Sequence, residues 1–252
     1  MLNLTTKYMT KNDCYIAGRK IVPKGIMIHS TATPGVMAAR WFDLWNKSYA
    51  KGELKLQACV HAFVDSKEAF QYLPWDHRGW HAGGKANDTH IGLEICEPAG
   101  HTYSGSNMVG YDAAKQEPYF RAAWNNTVEL CVFLCKMFGL TEKTIIDHAE
   151  GYKQGVASNS ADTGHWFPKH KENMDTFRAA VKKALTAPPA PVPIPEPAPT
   201  PTPPADPNKP SDWAKESWDW AKREGITDGT RPKDNATREQ TATMLHRALE
   251  EE

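Results

Sequence analysis

The chain has no excess of either charge: 30 basic residues face 30 acidic ones among 252. Nothing in that balance draws the whole chain to nucleic acid. No apolar run approaches the roughly 20 residues of a membrane-spanning helix, so no membrane insertion is expected. Met1 to Lys20 is polar and lacks an apolar core segment, so no secretory signal is expected and synthesis is assigned to the cytoplasm. The five cysteines (Cys14, Cys59, Cys96, Cys131 and Cys135) are odd in number, irregularly spaced and free of any CxxC pair, which argues against a disulfide framework. Cys131 and Cys135 lie one helical turn apart and read as buried thiols. HExxH and similar local zinc signatures are also missing.

What is present suffices for one sizeable domain and something small, since 40% of the residues are hydrophobic. Composition breaks at Ala187. From there to Pro210, 12 of 24 residues are proline, which excludes helix and sheet ladders and predicts a semi-rigid polyproline spacer. Three parts follow: a domain over 1–186 with net charge +4, a linker over 187–210, and a module over 211–252 with net charge −3.

Within the first part, Thr33-Pro34 reads as an N-cap and a first-turn proline, opening a helix to about Ser48. Apolar runs at 58–63, 69–73, 91–96 and 144–148 read as strands. A long helix is predicted after Pro118, with Gly139 as its stop, and another over about 173–185. Strands interleaved with helices predict an α/β fold with a central mixed β-sheet flanked by helices. The stretch 98–117, rich in Gly, Ser and Asn, reads as a surface loop, and such loops beside sites often bind substrate.

Two histidines end apolar strands: His29 in Ile26-Met27-Ile28-His29-Ser30 and His148 in Ile145-Ile146-Asp147-His148. Asp162 follows the second. Two imidazoles and a carboxylate make a catalytic zinc shell that leaves a position open for water. Taken singly, each histidine is more often a hydrogen-bonded structural residue, and spacing alone does not prove that the groups meet. Glu94 sits inside the apolar run Ile91-Gly92-Leu93-Glu94-Ile95. It either faces out from a sheet edge or, desolvated, serves as a general base with a raised pKa. Trp80-His81-Ala82-Gly83 and Asn87 read as either the wall of a substrate groove or an ordinary Gly-rich turn.

The segments Ile28-His29-Ser30-Thr31, Val60-His61-Ala62-Phe63-Val64-Asp65, Gly79-Trp80-His81-Ala82-Gly83, Ile91-Gly92-Leu93-Glu94 and Asp147-His148-Ala149-Glu150-Gly151 resemble, in order, those of type-2 N-acetylmuramoyl-L-alanine amidases. That family includes phage endolysins, bacterial autolysins and peptidoglycan recognition proteins. The resemblance covers roughly residues 20–185. It implies a zinc enzyme with His29 and His148 as ligands and Asp162 as the third, His165 being the rival. It implies Glu94 as the catalytic base and His81 near substrate; Trp80, Asn87, His61 and His165 are the further substrate-binding candidates. Many members carry a lysine two residues before the third ligand; this chain has Ser160 there. Asn159, Ser160 and His165 are the candidates for its role. The implied substrate is bacterial peptidoglycan, cut between N-acetylmuramate and L-alanine by an endolysin that reaches the wall after release. The alternatives are a bacterial autolysin and a recognition module that binds wall fragments without cutting them.

Residues 211–252 read as helix, loop, helix. The tryptophans Trp213 and Trp220, the run Gly225-Ile226-Thr227-Asp228-Gly229-Thr230, Pro232 and Ala236-Thr237-Arg238-Glu239 resemble a single S-layer homology motif. The resemblance implies binding to cell-wall polysaccharide. Such motifs work in sets, so one copy implies weak binding or homo-oligomerisation through this segment.

Overall fold

The apolar run Gly25-Ile26-Met27-Ile28-His29-Ser30 shows no in–out alternation, and all six residues are buried. A central strand covered on both faces demands that pattern. Among the described residues it is the second of eight strands: β1 (Leu4–Thr6), β2 (Gly25–Ser30), β3 (Ala62–Val64), β4 (Ala69–Gln71), β5 (His90–Ile95), β6 (Thr102–Ser104), β7 (Asn107–Val109) and β8 (Ile145–Asp147). Six form one sheet in the order β1-β4-β3-β5-β2-β8, while β6 and β7 make a separate hairpin. Only β3 and β4 pair antiparallel in the large sheet. The helices of this part are α1 (Asp13–Ala17), α2 (Trp41–Trp45), α3 (Ala113–Phe138), α4 (His148–Lys153) and α5 (Met174–Thr186). The mixed α/β architecture expected from the sequence is therefore present. The computed structural model describes residues 2–187, 209–211, 214–231, 234 and 238–249. The chain divides into two units, Met1–Pro188 and Pro189–Glu252.

The two sheet faces are covered differently. Ile26 and Ile28 of β2, Ile91, Leu93 and Ile95 of β5 and Val64 of β3 face α3 and α5, against Phe120, Trp124, Leu134, Phe177 and Val181. Each such side chain, fully buried, contributes about 1.5–3 kcal/mol. On the opposite face Phe63 stacks on Trp41 with ring centroids 4.5 Å apart. Met27 and Ile146 pack there against Ala82 and Ala86. The helical cover is thus thick on one face and thin on the other, and His29 belongs to the thinly covered face.

Local structure departs from expectation in three places. Thr33 does not cap a helix; its hydroxyl donates to the Thr31 carbonyl, and helical structure begins only with a 3-10 turn at Ala38–Arg40. The Ala38 N–H goes instead to the Asp65 carboxylate, 2.9 Å away. The long helix starts before Pro118 rather than after it, because Asp112 accepts from the Lys115 N–H and caps the chain at Ala113. It ends, as expected, at Gly139, in the left-handed conformation at φ 66°. The stretch 98–117 is not all loop: it holds the β6–β7 hairpin and the first turn of α3. All five cysteines are free and buried.

In the second unit, α6 (Lys215–Arg223) and α7 (Arg238–Leu249) flank a turn in which Asp228 accepts from the Thr230 N–H. Of the polyproline spacer expected over 187–210, residues 188–208 lie outside the described residues. So do Trp213, Pro232, Ala236 and Thr237 of the S-layer-like pattern.

Candidate active site

Three elements end at one place. β2 delivers His29 near its C-terminal end, and β8 runs into α4, whose first residue is His148. Asp147 caps that helix by accepting from the Glu150 N–H at 2.7 Å, which fixes where His148 leaves the sheet. A 3-10 turn, Asp162–His165, lies against β2 and brings in the carboxylate of Asp162. The Nδ1 atoms of His29 and His148 are 3.2 Å apart. Asp162 Oδ2 lies 2.9 Å from the His148 Nδ1 and 3.5 Å from the His29 Nδ1. All three residues are buried.

The outer nitrogens fix the tautomers. His81 Nε2 lies 3.2 Å from the His90 carbonyl, which can only accept, so Nε2 carries the proton. Burial, with the neighbouring His29 and His61, pushes the His81 pKa well below its usual value, so the ring stays neutral and its Nδ1 accepts. His29 Nε2, 3.0 Å away, therefore donates to it. His148 Nε2 donates to Ser158 Oγ at 3.2 Å, since that hydroxyl donates onward to the Ala82 carbonyl. With both rings neutral, the inner Nδ1 atoms carry lone pairs that face each other. Asp162 Oδ2 points at the same spot and is a buried oxygen with no hydrogen-bond partner.

Three converging lone pairs repel unless a cation sits among them. Ligand atoms about 2.0–2.1 Å from a tetrahedral zinc lie roughly 3.3 Å from one another. The observed separations of 2.9, 3.2 and 3.5 Å bracket that value. The donor set fits the ion, and each histidine has the outer hydrogen-bond partner that metal-binding imidazoles need.

Glu94 pairs in register with His29 on the neighbouring parallel strand. Side chains at matched positions of parallel strands share a face, so the carboxylate belongs to the same surface as the two histidines. Its Oε2 is buried without a hydrogen-bond partner. Burial, then the charges of Asp162 and Glu97, push its pKa well above the usual carboxylate range.

The other expected site residues divide. His165 does not join the two histidines; its Nε2 contacts Tyr103 Oη at 2.7 Å, Glu97 Oε1 at 3.1 Å and Ser30 Oγ at 3.1 Å. It lines, with Tyr103, Ser106, Ser160 and Asp162, a cavity of about 270 Å³. His61 is fully buried, with Nε2 on the His77 carbonyl and Nδ1 accepting from the Gly92 N–H, so no ring nitrogen is left for substrate. Asn87 is buried too, its Oδ1 accepting from the His81 and Ala82 N–H groups at 2.9 and 2.8 Å. Both brace the segment that carries His81. Trp80 is half-buried against Cys14, Cys59 and Leu73.

Sequence reasoning missed Ser158, which no motif marks, and Glu97. The latter is fully buried and tied to His165, Tyr103 and His101. A carboxylate directly after the apolar strand, in Ile95-Cys96-Glu97, was the available signal. Gly92 was also missed: a Cβ there would lie 2.6 Å from the His81 ring, so only glycine lets that ring lie over β5.

Known proteins resemble this chain in sequence and in fold. The amidase CwlL of Bacillus licheniformis is 28% identical over 186 residues, covering 73% of this chain and 48% of that protein. The chain spans about half the length of the curated relatives it matches, 48% and 42% for two of them. The solved structure of PlyL superposes with a TM-score of 0.52 at 21% identity, covering 72% of this chain and 97% of the other. A mutant endolysin from Bacillus subtilis gives 0.50 at 26% identity, covering 72% and 99%. The sequence profile described as N-acetylmuramoyl-L-alanine amidase matches residues 18–168, more than half of the chain, and the chain belongs to that family.

Proposed function

We propose that this chain hydrolyses the amide bond between the lactyl group of N-acetylmuramate and L-alanine of the peptidoglycan stem peptide. The observation that carries the reading is the convergence of His29 Nδ1, His148 Nδ1 and Asp162 Oδ2, each within a few ångströms of the others and each without a proton to share. These three would hold a zinc ion. Zinc bound there supplies Lewis acidity, polarising the scissile carbonyl and easing deprotonation of water. Glu94 takes the proton of the attacking water and passes it to the leaving amine, a task suited to a carboxylate whose pKa is raised by burial. Ser160 stands where the family resemblance implies a lysine; its hydroxyl and the His165 ring line the cavity beside Asp162 and are assigned to the substrate carbonyl and its neighbours. His81 acts through His29.

The wall-lysing role of an endolysin is the reading that relatives of this kind support, including the Bacillus subtilis endolysin. Residues 211–252 are assigned to wall-polysaccharide binding or self-association, supported by exposed apolar side chains such as Trp220 and Leu245. The test of the hydrolytic reading is chelation and reloading. Chelator-treated protein should release no alanine N-termini from purified walls, and added zinc should restore the release. Unchanged release without metal would sink the reading.

A further inference from the structure

Asp162 reaches its place through a backbone that resists it: its φ is +37°, a left-handed conformation that L-residues rarely adopt. Something must hold the turn. The next residue, Thr163, is buried, and its Oγ1 donates to Asp147 Oδ2 at 2.6 Å. Asp147 is buried as well, and its other oxygen accepts from the Glu150 N–H at the start of α4, the helix that opens with His148. One carboxylate thus joins the segment carrying His148 to the turn carrying Asp162. The join is backed from behind: Arg178 of α5 donates to both carboxylate oxygens of Glu150, at 2.8 and 3.0 Å, and to the Ile145 carbonyl of β8. A cavity of about 360 Å³ lined by Asp147, Glu150, Thr163 and Arg178 leaves this lock little packing to replace it.

We propose that Asp147 and Thr163 are positioning residues whose hydrogen bond holds Asp162 at the ligand distance from His29 and His148, and so sets the affinity of the site for zinc. The inference rests on the zinc reading above. Neither residue touches the reacting atoms. Without the Thr163 hydroxyl the turn relaxes toward an unstrained φ, the carboxylate withdraws, and the site keeps two imidazoles and loses its anionic ligand. Outer-shell partners of metal ligands commonly govern affinity by about 10–100-fold.

The test uses the full chain, stripped of metal, with zinc affinity measured by competition against a chromophoric chelator and the Co2+ visible bands as a second readout. Thr163→Val, which keeps the shape and removes the hydroxyl, is expected to bind zinc about 10–100-fold more weakly with altered Co2+ bands. Thr163→Ser, which keeps the hydroxyl, is expected to stay within about threefold of the parent. Asp147→Asn leaves one oxygen where two donors need one each, and is expected to weaken zinc as Thr163→Val does. Thermal unfolding of each metal-free variant reports whether the fold survives, and should Thr163→Val fail to fold, Asp147→Asn and Thr163→Ser decide. Unchanged affinity in the folded variants, or equal losses in Thr163→Val and Thr163→Ser, would overturn the lock while leaving the zinc reading intact. A parent chain that binds no zinc would overturn both.

Discussion

His29 and Glu94 stand at the same level of two adjacent parallel strands, paired in register. That single pairing places an imidazole and a carboxylate on one face of the sheet. A slip of one residue would send Glu94 to the opposite face, among Ile28, Leu93 and the residues of α3. The active-site reading therefore rests on sheet register as much as on residue identity.

Register also explains Gly92. Any side chain there would press on the His81 ring, from 2.6 Å. Gly92→Ala should displace His81, deprive His29 of its Nε2 partner, and cost about 1–3 kcal/mol of stability. Zinc affinity should fall about 10-fold or more, as for other losses of an outer partner. Chelator competition and urea unfolding on the same sample check both parts.

His61 predicts a loss of stability in acid. Burial lowers its pKa to about 4, against about 6.5 in an unfolded chain. Above pH 6.5 neither state holds the proton. Between about 6.5 and 4 the unfolded chain alone takes it up, so stability falls as pH falls, by about 3 kcal/mol in all. Urea midpoints across that window should drop accordingly, and the ring's NMR titration should lie near 4. A ring that titrates above 6 would contradict the assignment.

The third ligand is open to direct test. Asp162→Ala should lose zinc, and His165→Ala should keep it, because His165 is turned to Glu97, Tyr103 and Ser30. Metal analysis after dialysis gives the answer; zinc retained by the first variant and lost by the second would exchange the two roles.

Residues 211–252 are expected to self-associate. Light scattering on the full chain and on a truncation at Ala187 should give a larger mass per chain for the former. Equal values would remove the oligomer from the account.

Much of the site was legible in the sequence because its residues stand at the ends or in the middle of apolar runs. His29 and Glu94 interrupt apolar strands, and His148 directly follows one, each with a group that is costly to bury. The choice between Asp162 and His165 was not legible, since both lie in one short turn, whose backbone puts Asp162 beside His29 and His148 and His165 beside Glu97 and Tyr103. The backbone partners of His61 and Asn87 are set by tertiary contacts that no local pattern announces. The contacts of His81 with Gly92 and of Asp147 with Thr163 join distant segments with no local pattern. Helix starts were misplaced at Thr33 and Pro118 for a related reason. Asp65 and Asp112 supply the acceptors that fix the true starts, and one of them comes from another strand's end.

The most direct measurement is zinc per chain together with release of new alanine N-termini from purified walls, for the parent and for Glu94→Ala. The account predicts about one zinc in both proteins and a loss of release of at least about 100-fold in the variant, the scale of a missing general base. Zinc bound by the parent with no new alanine N-termini, or full release by Glu94→Ala, would contradict it.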